Sequence, residues 1–240
     1  MASPYTNEAK EMTIEPGCPW FEAQQTYGAP NVNWCEPMVC GYINEPANTW
    51  SNLPYLIIGL VLLKKIKTQP LRAFPYAVFV MGALSFVFHA TNNYLTQYLD
   101  FLGMFLMMSF LVAFNFKRLF PHSFRFFSVY WFWVFLNSML FTLFGIMDIA
   151  VQWIMYINFA PIVLLELYNG YKANQLKSYG FLGLALISII VAQTFAILDI
   201  TRTWCEPENL ILHGHVVWHF FAAAGMYFAA MHLQRVWPKN

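Results

Sequence analysis

Charge is what this sequence has least of. Asp, Glu, Lys and Arg make up 10% of its 240 residues, where soluble domains carry roughly 25%. That shortage excludes a water-facing surface over most of the chain. The formal net charge is +1 and no basic patch of the nucleic-acid type is present, so a phosphate-backbone partner is excluded as well. There is no internal repeat and no low-complexity tract. The opening stretch, MASPYTNEAKEMTIEPG, has no apolar core and does not read as a cleaved signal peptide. Cysteine and histidine are scarce, at four and six, which makes the position of each one informative.

What the chain has instead is apolar and aromatic residues, 59% and 19% of the total. They fall in long runs at about 49–63, 73–91, 99–116, 126–147, 151–170, 179–198 and 210–233. A membrane helix needs about 20 such residues, so the expected fold is all-α: a polytopic membrane protein with seven transmembrane helices. The first run is short and those at 126 and 151 nearly touch, which leaves six as the fallback count. Lys and Arg collect on the cytoplasmic side of membrane proteins. With seven spans, one side holds Lys64, Lys65, Lys67, Arg72, Lys117, Arg118, Arg125, Lys172, Lys177, Arg235 and Lys239, and the other only Lys10 and Arg202. This bias predicts an N-terminus outside and a C-terminus in the cytoplasm. The expected organisation is an outer, turn-rich cap over 1–48, a membrane domain over 49–234 and a cytoplasmic tail over 235–240.

All four cysteines, Cys18, Cys35, Cys40 and Cys205, fall on the outer side in this topology. That placement predicts disulfides in an oxidising compartment, with three pairings open.

Three of the six histidines lie in HGHVVWH, residues 213–219. His215 and His219 are one helical turn apart on one face, a spacing that suits one metal ion. His213 is about 200° around the helix from His215 and reads as interfacial. His89, in SFVFHATNNYL, is the remaining histidine deep in an apolar run and shares the outer third of the membrane with His215 and His219. Ser85 lies four residues before His89 on the same face, and Asp100 follows it across a short turn. A carboxylate at that depth is costly without a partner or a role. Three imidazoles favour zinc over magnesium or calcium, and a three-ligand zinc with an open position is more often catalytic than structural. The chemistry implied is hydrolysis. His122 falls in an inner loop and His232 at the cytoplasmic end of the last helix, too far to join.

The ordered pattern S-x3-H, D eleven residues on, then H-x3-H in the last helix resembles the alkaline ceramidases, seven-helix zinc hydrolases related to the adiponectin-receptor-like proteins. WCE at 34–36 and EPANTWSN at 45–52 are similar to that family's calcium-binding segment and its entry into the first helix. The resemblance implies zinc on His89, His215 and His219, with Asp100 and Ser85 flanking the attacking water. Asp100 would take the water's proton and pass it to the leaving amine, and Ser85 would assist the oxyanion. It further implies calcium on Glu36, Glu45 and the Trp34 backbone. Asn33 stands where the family has an aspartate, Met38 where it has an asparagine, and the spacing from Trp34 to Glu45 is two residues shorter; fewer carboxylates imply weaker calcium binding. The family disulfide maps to Cys35 and Cys205, leaving Cys18 and Cys40 as a second pair. The substrate implied is a ceramide-like membrane lipid, cleaved to a long-chain base and a fatty acid. The rival readings are a hydrolase of another amide or ester lipid, a receptor-like protein with a structural zinc, and a transporter using Asp100, Glu166 and Asp199, which do not form an evident chain. Glu166 alternatively makes a helix-packing hydrogen bond.

Overall fold

The computed structural model describes residues 13–123, 125–147, 149–174 and 179–237. Residues 1–12 of the expected cap, the tail from 238 on, and Lys10, Lys177 and Lys239 of the charge count lie outside the described residues. Helices α1 (Phe21–Tyr27), α2 (Pro46–Trp50), α3 (Leu53–Lys65), α4 (Ala73–Thr91), α5 (Tyr94–Leu119), α6 (Phe126–Ile146), α7 (Trp153–Lys172), α8 (Gly180–Ile200) and α9 (Gly214–Val236) follow in order. No strand occurs among the described residues.

Five helices, α4, α5, α6, α8 and α9, are long and apolar enough to cross a membrane. Phe135 on α6 and Ile187 on α8 are among the large apolar side chains left 60% or more exposed. Lipid is the solvent that makes such faces stable, so the architecture fits a multi-pass membrane protein. Two of the expected seven spans fall outside this set. Helix α3 has 13 residues, about 20 Å at 1.5 Å per residue, and α7 buries Asn158, Glu166 and Asn169 along its length.

The first apolar run is not one helix. The chain turns at Ser51 and Asn52 between α2 and α3, each of which has a proline in its first turn, where the missing N–H costs no hydrogen bond. Helices α4 and α5 are joined by Asn92 and Asn93 alone. Asn92 adopts the left-handed conformation at φ 48°, which asparagine tolerates. Asn93 then starts α5 with a capping box, its side chain accepting from the Thr96 N–H. That tight hairpin folds the Ser85 and His89 end of α4 back toward Asp100.

Helix α9 packs along α8 and touches α3; α4 lies between α3 and α5; α5 supports α6 and α7. Gly82 sets the spacing of α3 and α4, because a Cβ there would come within 2.5 Å of the Tyr55 Cβ. Small residues permit this close approach, and Tyr55 thereby sits edge-on to His219 with ring centroids 5.9 Å apart.

Candidate metal centre

Helix α4 supplies His89 and the first two turns of α9 supply His215 and His219. Their ring nitrogens all lie within 4.8 Å of one another, and all three residues are buried. The Nε2 atoms of His89 and His215 are 3.1 Å apart. Nitrogens on one tetrahedral zinc, at about 2.05 Å each, stand about 3.3 Å from each other, so this pair is spaced as two ligands of one such ion would be.

Each imidazole is oriented from outside its own helix. Nδ1 of His89 lies 2.6 Å from the Glu45 carboxylate, and Nδ1 of His219 lies 2.6 Å from the Ser51 hydroxyl. The ring of Trp34 stacks on His215 at 3.6 Å and 22°. The Nδ1 of His215 is buried without a hydrogen-bond partner. A carboxylate behind a histidine fixes its tautomer and raises its basicity as a ligand, which leaves Nε2 of His89 facing the cluster. The residues present therefore fit a borderline-soft divalent ion.

Asp100 is buried at the start of α5, with the Ser85 side chain of α4 close to it. The carboxylate and hydroxyl expected to flank the centre are thus brought together.

The expected calcium residues belong to the cap. Both Glu36 oxygens accept backbone N–H groups, those of Ala47 and Asn48, each at 2.7 Å. This carboxylate closes the N-terminus of α2. Glu45 serves His89, Asn48 and Asn92 together. Burial pushes each carboxyl up to about 7, against the pull of these donors. Beside them Asn44 is fully buried with neither side-chain atom partnered, and Asn48 Oδ1 is also unpartnered. An orphaned buried amide oxygen calls for a water or an ion, and amide oxygens suit calcium. Asn33 and Trp34 are half-buried in the same segment.

Two disulfides form, Cys35–Cys205 and Cys18–Cys40, with Cα atoms 5.5 and 5.2 Å apart. His213 is buried at the N-cap of α9. With Asp199 and Cys35 it forms a second group of close ligand atoms, but the Cys35 sulfur is committed to Cys205.

His122 is exposed, and His232 lies at the opposite end of α9. There its Nε2 meets Glu166 at 3.0 Å, beside Arg118 at 2.6 Å and the Tyr179 hydroxyl at 2.8 Å. Glu166 is a packing group, as one of its two readings held, and joins neither Asp100 nor Asp199. A cleft on the exposed face of α6 around Trp131, Phe135 and Met139 contains none of the site residues.

The roles of Trp34, Glu45 and Ser51 toward the histidines were missed, because each partner is more than 40 residues away. Asp199 was read only as a candidate in a transporter path; fully buried, it binds the cap and α9 together.

Apolar helices enclosing three buried histidines, with a buried carboxylate beside them, define a multi-pass membrane protein with a centre able to hold a metal ion. The chain belongs to the ceramidase family, whose model matches residues 27–237. Membership implies a hydrolase acting on ceramide. No curated protein matches the chain.

Proposed function

We propose that this protein is an intramembrane, zinc-dependent amide hydrolase that cleaves ceramide-like lipids to a long-chain base and a fatty acid. The observation that carries the reading is the convergence of His89, His215 and His219, with Ser85 one turn before His89 on α4 and Asp100 across the α4–α5 hairpin. Bound zinc supplies Lewis acidity and a water whose pKa is lowered to about 7. His89, His215 and His219 would hold the ion through one nitrogen each. Asp100 takes the proton of the attacking water and delivers it to the leaving amine. The Ser85 hydroxyl, which has one hydrogen bond to donate, directs it toward the developing oxyanion once Asp100 has taken up its proton.

Seven spans, counting α3 and α7 with the five long helices, put the N-terminal cap and the centre on the extracytoplasmic side. The bias of Lys and Arg supports this orientation. In the cap, calcium would take oxygen from Glu36, Glu45, the Trp34 backbone and Asn33, and the orphaned Asn44 and Asn48 oxygens support an oxygen-rich site there.

Purified protein should carry about one zinc per chain by elemental analysis and release fatty acid from ceramide in detergent. His219→Ala should lose both zinc and activity. Full zinc in each of the three single histidine-to-alanine variants would refute the centre. Full zinc in the wild type with no hydrolysis of any lipid amide would instead point to a receptor-like role for the metal.

A further inference from the structure

The fully buried carboxylate of Asp199, at the end of α8, grips two backbone N–H groups from distant parts of the chain. Oδ1 accepts from Cys35 at 2.8 Å and Oδ2 accepts from His215 at 2.9 Å. Helix α9 needs this second bond. Its N-cap residue, His213, gives no side-chain cap, so the free N–H groups of the first turn have to find acceptors elsewhere. Asp199 provides one from a neighbouring helix, with its negative charge at the positive end of α9.

The approach depends on Gly214. A Cβ at that position would come within 2.4 Å of the Phe195 carbonyl oxygen and 2.8 Å of the Asp199 Cβ, so a side chain would push the start of α9 off α8. The other oxygen of Asp199 fixes Cys35, whose neighbour Trp34 stacks on the His215 ring. One carboxylate therefore sets the backbone of a histidine in the cluster and the backbone beside the ring that orients that histidine.

We propose that Asp199 is the positioning residue for His215, holding the ligand in place through its backbone and through Trp34; the role rests on the metal-centre reading above. Asparagine is nearly isosteric but has one acceptor oxygen and an NH2 group, so it leaves either the Cys35 or the His215 N–H without an acceptor. Loss of groups that orient a metal ligand typically costs ~10- to 100-fold in metal affinity.

The test measures zinc affinity by chelator competition on the folded, disulfide-intact full chain, together with the ligand-field spectrum of the cobalt-substituted protein. Asp199→Asn should raise the zinc Kd ~10- to 100-fold and alter the cobalt spectrum. Gly214→Ala should act in the same direction, and it carries the test if Asp199→Asn does not fold. Asp199→Glu, which keeps two acceptors, should recover part of the affinity. A purely structural role would lower the melting temperature of the variants while leaving the zinc Kd and cobalt spectrum of the folded fraction unchanged. That result, or an unchanged Kd in Gly214→Ala, overturns the proposal while the centre stands. A wild-type protein that binds no zinc overturns the centre, and this role with it.

Discussion

Asp100 and Ser85 lie close together but differ in what their loss removes. Asp100 is not among the ligand nitrogens of the cluster, so Asp100→Asn should keep zinc and fold while deleting the general base. Ceramide hydrolysis should then fall at least ~100-fold, and Ser85→Ala should lose less while also keeping zinc. Elemental analysis beside a fatty-acid release assay checks both; a zinc-loaded Asp100→Asn protein at wild-type rate would remove Asp100 from the reaction. At this scale the sequence was informative wherever a spacing of four residues or one short turn put groups together, as for His215 with His219 and Ser85 with His89. It was silent on the groups behind them. Glu45 reaches His89 across 44 residues and Ser51 reaches His219 across 168, and no helical period encodes such a pairing. Glu45 was accordingly read only as a calcium ligand, although its position ties it to the imidazole as well.

Helix α7 shows what an element needs when its own contacts are few. It leans on α5 and touches α6 lightly, and its inner end is secured by Glu166, which Arg118 of α5, His232 of α9 and Tyr179 at the start of α8 all face. Arg118 and Glu166 have side chains 6% and 4% exposed. Removing one member of a buried pair leaves the other charge uncompensated and costs ~3–5 kcal/mol, whereas removing both can be close to neutral. Glu166→Gln should therefore lower unfolding stability in detergent by about that amount, and a double variant with Arg118→Gln should recover much of it. Zinc content should be unchanged in both, since His219 and His232 are separated by about 20 Å of helix. Zinc loss at full stability would show that the inner end communicates with the centre. Hydropathy revealed the long helices and placed the starts of α4 and α6 at Ala73 and Phe126, but it misplaced that of α5. Helix α5 begins at Tyr94, five residues before its apolar run, because Asn93 and Thr96 form the polar capping box that nucleates it. The break at Ser51 and Asn52 did leave a trace, in the two prolines that open α2 and α3.

Across the whole molecule, the cap and the turn that follows it are part of the candidate centre and not a lid beside it. Trp34, Glu45 and Ser51 each engage a different histidine, and the segment that bears them is held to the far end of the chain by Cys35–Cys205, across 170 residues. Cys18–Cys40 closes a loop of only 22 residues within the cap. Chain-entropy arithmetic assigns about 5 kcal/mol to the long loop and about 3 kcal/mol to the short one. Position separates them further, because Cys35 adjoins Trp34 and its N–H is held by Asp199, whereas neither Cys18 nor Cys40 adjoins a residue that touches a histidine. Cys205→Ser should therefore lower both the melting temperature and the zinc affinity, while Cys18→Ser should cost some stability and leave zinc affinity near that of the wild type. The thiol that each variant frees, Cys35 or Cys40, should react with a membrane-impermeant reagent added outside sealed cells once the protein is unfolded, and not with one confined to the cytoplasm. Labelling from the cytoplasmic side would reverse the proposed orientation. Equal zinc affinity in the two variants would instead show that the cap stays seated on the histidines through its hydrogen bonds and the Trp34 stack alone.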